Sequence, residues 1–138
     1  MASAIVSSPK AAMEQTVFIV EDSEGAATPL EIALQVMIGI RVQLFSSARD
    51  ALNTLRNTPD HVAALVTDLH LPSMDGFELI RRIRSDQRYT ALPIIVVSGD
   101  THPDTPERLL RLGADAYFPK PYSPTEIRQK LESLLNEH

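Results

Sequence analysis

Cysteine and tryptophan are absent from the 138 residues, and glycine (5 residues) and aromatic side chains (5%) are scarce. Without cysteine the chain can form no disulfide, thiolate nucleophile, iron–sulfur cluster or sulfur-ligated zinc site, which fits a reducing compartment such as the cytoplasm. No apolar run approaches the ~20 residues that cross a bilayer, so no membrane segment is expected. Basic residues are also in deficit, with 13 Lys and Arg against 18 Asp and Glu and a net charge of −5. Direct nucleic-acid binding is not expected from that balance, because phosphate-backbone binders cluster Lys and Arg. His61, His70, His102 and His138 lack metal-ligand spacing, which removes a histidine zinc site as well.

What is present is an ordinary globular composition, 43% hydrophobic and 22% charged, in a length suited to one domain. The opening MASAIVSSPKAAMEQ has too few and too scattered apolar residues for a signal sequence. It reads as a disordered tail over residues 1–15, leaving a domain over 16–138.

From Val17 onward, short β-branched runs alternate with helical periodicity, the pattern of βαβ units and a buried parallel sheet. Strands are predicted at Val17–Val20, Arg41–Phe45, Ala63–Val66, Ile94–Val97 and Ala116–Phe118. A first helix is expected from Pro29, where Thr28-Pro29-Leu30-Glu31 supplies an N-cap, a Pro at N1 and a capping-box Glu, with Leu30, Ala33, Leu34 and Met37 as its apolar stripe. Ala48, Ala51, Leu52 and Leu55 mark a second, and Phe77, Ile80 and Ile83 a third after the Asp75-Gly76 turn. A short polar fourth spans Pro106 to Leu112. The fifth opens on a further capping box, Ser123-Pro124-Thr125-Glu126, and carries Ile127, Leu131, Leu134 and Leu135 to the end of the chain, with no output domain expected after it. Right-handed crossovers then imply an α/β fold, a doubly wound five-stranded parallel sheet with helices on both faces.

In such sheets ligands bind outside the carboxyl ends of the strands, where strand order reverses. Those ends are Glu21-Asp22, Asp68, Ser98-Gly99-Asp100 and Pro119-Lys120-Pro121. Clustered acids repel one another, so a cation is required, and hard oxygen ligands without sulfur favour Mg²⁺. A divalent metal beside a lysine and a hydroxyl is equipment for holding a phosphoryl group. A central carboxylate, Asp68, can also serve as nucleophile.

With those residues in order, the chain from about Thr16 to His138 resembles a response-regulator receiver domain, the CheY-like phosphoacceptor module of two-component signalling. The family pattern is an acidic pair after strand one, an Asp after strand three followed by a turn with Pro and Gly, a Ser or Thr after strand four, and Lys-Pro after strand five. Glu21-Asp22, DLHLPSMDG from Asp68, VVSGD around Ser98 and FPKPY around Lys120 match it. The resemblance implies the flavodoxin-like strand order 2-1-3-4-5 and a phosphorylation-dependent switch. Asp68 would accept a phosphoryl group from a histidine kinase or phosphotransfer protein. Asp22, Asp68 and the His70 backbone carbonyl would ligate Mg²⁺, with Glu21 acting through water. Ser98 and Lys120 would hold phosphoryl oxygens, and Tyr117 would be the aromatic rotamer switch. The face formed by the fourth helix, fifth strand and fifth helix would meet a downstream effector, an output domain or a second copy. The implied chemistry, self-phosphorylation and autodephosphorylation, is not that of a conventional enzyme. The resemblance also implies a cis Lys120-Pro121 bond. Side chains of His70 and Asp100, each two residues past a site residue, are candidates for tuning phosphoryl lifetime.

Competing readings fit less well. A cofactor-binding relative of the same fold would cradle phosphate with hydroxyls and amides, where Glu21-Asp22 repel it, and no P-loop pattern occurs. An Asp-nucleophile phosphatase would place a second acid where His70 stands. The remaining rival is a receiver-like module that signals through its surface without phosphorylation. Asp75 reads as a turn or N-cap residue. The small-residue loop Ser23-Glu24-Gly25-Ala26-Ala27 departs from the family and leaves the start of the first helix, and kinase docking, open to a different arrangement.

Overall fold

The computed structural model describes residues 15–59 and 61–136. Strands and helices alternate as β1 (Gln15–Val20), α1 (Glu24–Gln35), β2 (Ile40–Phe45), α2 (Ala48–Asn57), β3 (Val62–Asp68), α3 (Gly76–Arg84), β4 (Ile94–Ser98), α4 (Thr105–Leu112), β5 (Ala116–Pro119) and α5 (Pro124–Asn136). All strand pairs are parallel, in the order β2-β1-β3-β4-β5. This is the doubly wound parallel sheet that the alternation predicts, in the strand order that the family resemblance implies.

The three inner strands lie between helical layers and are apolar along their length. Val17, Ala64, Leu65, Ile94, Ile95 and Val96 have no exposed surface. Strand β2, at an edge, instead exposes Arg41, Gln43 and Leu44. One face of the sheet packs Val17, Ile19, Val66 and Ile95 against Leu30 and Leu34 of α1 and Ile127 and Leu131 of α5. The other packs Phe18, Leu65 and Val96 against Leu52, Leu55, Ile80, Ile83 and Leu109 of α2, α3 and α4. Each such fully buried side chain stabilises the fold by roughly 1.5–3 kcal/mol relative to exposure.

The first helix departs from expectation. It begins at Glu24, not Pro29, and Pro29 lies inside it. Ser23 O accepts from the N–H groups of Ala26 and Ala27, both at 3.1 Å, and Ala27 is buried with Leu30 and Leu34 at helical spacing. Packing of that extended stripe outweighs the start signal at Thr28-Pro29. Gln15, placed with the tail by sequence, is the first residue of β1 and donates to Gly39 O at 2.8 Å. The rest of the predicted tail lies outside the described residues. The Lys120-Pro121 bond is cis.

Other helix ends follow the sequence. Ser47 and Asp75 accept from the N–H groups of Asp50 and Glu78 at 3.1 and 2.9 Å, and Ser123 Oγ accepts from Glu126 N–H at 3.3 Å. Helix α4 ends at Gly113, whose φ of 113° is left-handed. Arg84 Nε and Nη2 donate to its carbonyl at 3.0 and 2.7 Å, tying the end of α3 to the turn before β5. Among the described residues no helix is long and apolar enough to cross a membrane.

Candidate functional site

Sheet register decides which side chains meet. Val20 pairs with Thr67, so Glu21 and Asp68 emerge side by side at the carboxyl edge between β1 and β3, where strand order reverses. Asp68 pairs with Val97 and Ser98 with Pro119, which carries Ser98 and Lys120 to the same rim. Lys120 N–H donates to Ser98 O at 2.8 Å.

Asp68 is 7% exposed and held from two sides. Its Oδ1 accepts from the backbone N–H groups of Leu69 (2.7 Å) and His70 (3.3 Å), while Oδ2 accepts from Lys120 Nζ at 2.8 Å. The same ammonium lies 3.2 Å from Glu21 Oε1, and Glu21 Oε2 accepts from Ser23 N–H at 3.3 Å. Burial raises the Glu21 pKa, and the neighbouring Asp68 charge adds to the rise while Lys120 opposes it. Burial works against the charge on Lys120, but its hydrogen bonds and attraction to Asp68 and Glu21 prevail and its pKa is raised.

The loop after Asp68 is folded tightly against it. Gly76 N–H donates to Leu69 O at 2.7 Å. A Cβ at Gly76 would lie 2.8 Å from Asp68 O and 2.9 Å from Leu69 Cα, so only glycine admits this approach of α3 to the end of β3. Ser73 reaches φ 71° within the same loop, and Asp75 caps α3, the structural role expected of it.

Glu21, Asp22 and Asp68 each offer a carboxylate oxygen, all within 4.8 Å of one another. At an effective dielectric near 20, like charges at that separation repel by about 3–4 kcal/mol per pair. One ammonium offsets part of this. An all-oxygen donor set with exposed Asp22 at its mouth suits a hard divalent cation that keeps several waters. The residues fit Mg²⁺.

Ser98 is fully buried, and its Oγ accepts from Asp100 N–H at 3.0 Å, leaving its own O–H to donate. Half-buried Tyr117 donates its hydroxyl to Asp100 O at 3.3 Å. Asp100 Oδ2 meets His70 Nε2 at 3.0 Å, and its Oδ1 accepts from His102 N–H at 2.7 Å. The His102 bond comes first among the causes that lower the Asp100 pKa. Thus these sequence candidates are linked: His70 and Asp100 meet through their side chains, and the Asp100 backbone also contacts Ser98 and Tyr117. Two participants were missed. His102 turns the loop onto Asp100, and Thr105, buried with no hydrogen bond of ordinary geometry at Oγ1, lies near enough to contribute to the lowered Asp100 pKa. The signal available for them was the turn-forming DTHPDTP run.

Comparison with known proteins agrees with this geometry. The model of the response regulator receiver domain matches residues 17–132. The transcriptional regulatory protein GltR of Pseudomonas aeruginosa is 33% identical over 123 residues, covering 88% of this chain and 49% of that protein. CreB of Escherichia coli, also a transcriptional regulatory protein, is 35% identical over 124 residues, covering 88% and 51%. The chain therefore spans about half the length of these relatives. Among solved structures, a response regulator receiver protein from Pseudomonas putida superposes with a TM-score of 0.74 at 30% identity, covering 91% of this chain and 98% of that one. A CheY-like receiver domain protein from Methanospirillum hungatei gives 0.79 at 25% identity, covering 90% and 95%. Relatives of this kind support a role in two-component signalling. With its sheet order, its acid-lined rim and a match that runs from β1 into α5, the chain belongs to the response regulator receiver family.

Proposed function

We propose that residues 16–138 form a cytoplasmic, phosphorylation-dependent switch in which Asp68 is the phosphoacceptor. The observation that carries this is the clamp on Asp68: one oxygen rests on Lys120 and the other on two backbone N–H groups, beside two further carboxylates. The donor is a phosphohistidine of a histidine kinase or phosphotransfer protein. An Asp68 oxygen forms a bond to phosphorus as the P–N bond breaks, and the electron pair stays on the imidazole nitrogen. Lys120 neutralises a phosphoryl oxygen throughout. Asp22, Asp68 and the His70 carbonyl, with Glu21 through water, would hold Mg²⁺, which when bound neutralises phosphoryl charge.

Ser98 then exchanges its acceptor contact with Asp100 N–H for donation to the phosphoryl group. That movement draws in the loop to which Tyr117 is tied through Asp100 O, so Tyr117 changes rotamer and the α4–β5–α5 face is reshaped. An effector, an output domain or a second copy reads that face. Small phosphodonors phosphorylate the domain directly, and water attack on phosphorus regenerates the Asp68 carboxylate. By limiting access of that water, the His70–Asp100 contact would tune the lifetime of the acyl phosphate.

Beryllofluoride with Mg²⁺ tests the reading by amide NMR. Wild type should show saturable shifts from Ser98 through α4 and at Tyr117, and Asp68→Asn should show none. Equal shifts in Asp68→Asn would refute the acceptor assignment, and a silent wild type would favour a module that works without phosphorylation.

A further inference from the structure

The chain is acidic overall, yet one groove on its surface is lined by arginine. Between the start of α2, the exposed side of α3 and α4 lies a groove of about 390 Å³ that Arg49, Arg81, Arg82 and Arg108 line together with Phe77 and Glu78. Four guanidiniums thus face two carboxylates, Glu78 and the cap residue Asp75. The excess is local and of opposite sign to the net charge of −5.

Its members differ in how far they are committed. Glu78 is gripped on both oxygens, by Arg81 Nη1 and by Arg82 Nε, each at 2.7 Å, and the bond to Arg82 is the first cause of its lowered pKa. Arg81 and Arg82 remain about half exposed or more despite this, with side chains 62% and 47% accessible. Arg108 lies over the Phe77 ring, 4.2 Å from its centroid, and presents a flat surface that is cationic and apolar at once. Neither Arg49 nor Arg108 has an ion pair among the described residues. Nothing in the phosphoacceptor chemistry uses any of these side chains.

We propose that this α2–α3–α4 groove is a docking surface for an acidic segment of a protein partner, one in which Glu or Asp alternates with apolar residues. The Glu78 clamp shows that the groove's guanidiniums already hold a carboxylate, one arginine on each oxygen. Arg49 and Arg108 offer further guanidiniums, and the Phe77–Arg108 stack offers the apolar contact. A polyphosphate chain fits less well, because it carries no apolar side chain to set against the Phe77–Arg108 stack. The surface runs into the loop that follows Asp68, since Ser73, Met74 and Asp75 complete its wall. It meets the α4–β5–α5 face only at α4, through Arg108, and is present in the unphosphorylated chain, which suffices to test it.

The test is amide and arginine side-chain NMR on the 138-residue chain, titrated with a short peptide of repeating Glu-Glu-Leu units. Saturable shifts should appear at Ser73–Arg82 and at the Nε–H groups of Arg49 and Arg108, and should weaken as salt is added. The double variant Arg49→Glu/Arg108→Glu should bind roughly fivefold or more weakly while keeping a folded spectrum, and Arg128→Glu on α5 should bind as wild type does. Absent shifts, or equal binding by the double variant, would overturn the proposal. So would a short DNA duplex that shifts the same residues at lower concentration, which would make the groove a nucleic-acid surface.

Discussion

The loops after β1 and β3 both deliver acids to the same rim, but they are built differently. After β3 the chain is fastened at every step: Asp68 accepts from two following N–H groups, Gly76 binds Leu69 O, and Asp75 caps α3 through its side chain. After β1, Asp22 is exposed and Ser23 starts α1 with its backbone only, making no side-chain cap. The proposed acceptor thus sits on a turn closely tied by hydrogen bonds, and the acid expected to take metal sits on a less fastened one. Chemistry that needs one fixed nucleophile and one adaptable ligand is served by that division.

Gly76→Ala would break the contrast most severely. Its Cβ would strike backbone atoms of Asp68 and Leu69, and overpacking of this kind costs about 1–3 kcal/mol, read as a lower urea midpoint together with weaker beryllofluoride binding. Caps come next: Asp75→Ala should cost about 1 kcal/mol and Ser23→Ala only a few tenths, because Asp75 alone of the two makes the side-chain bond. A third change should act in the opposite direction. Gly25 has open space around it in the first turn of α1, so Gly25→Ala should stabilise by about 0.5 kcal/mol in the same unfolding assay.

The smallest effect concerns titration. Glu21 should titrate above its ordinary value of 4.5, because of burial first and Asp68 second, and Asp68→Asn should move it back down, as followed by carboxyl ¹³C shifts without metal. A carboxyl with a raised folded pKa holds its proton more tightly when folded than when unfolded. It therefore lowers stability as pH rises through that pKa and restores it as pH falls. Asp86, on the far side of the molecule, has the opposite sign. Its bonds to Arg88 lower it from 3.8 to about 2, so its contribution is complete above 3.8 and lost as pH falls through about 2.

The same contrast explains what the sequence reveals. Strands β1, β3 and β4 are legible because burial on both faces demands unbroken apolar runs, and the rim residues follow once those runs end. The DLHLPSMDG turn reads correctly because its Pro, Asp and Gly each have a local backbone reason. Helix α1 does not, since its start depends on Ala27 reaching the core, a tertiary event, while Thr28-Pro29-Leu30-Glu31 imitates a local start signal. Likewise the arginine groove is invisible in the linear order, where Arg49, Arg81 and Arg108 are scattered, and appears only when three helices bring them together.

Lys120 lies 52 residues from Asp68 and 99 from Glu21, and reaches both only from the far end of β5. A growing or partly unfolded chain that lacks this last strand would hold the acceptor carboxylate without its cation. The Lys120 ion pair therefore ties the end of β5 to the ends of β1 and β3, and the charge environment of Asp68 is complete only when all three strands are in place.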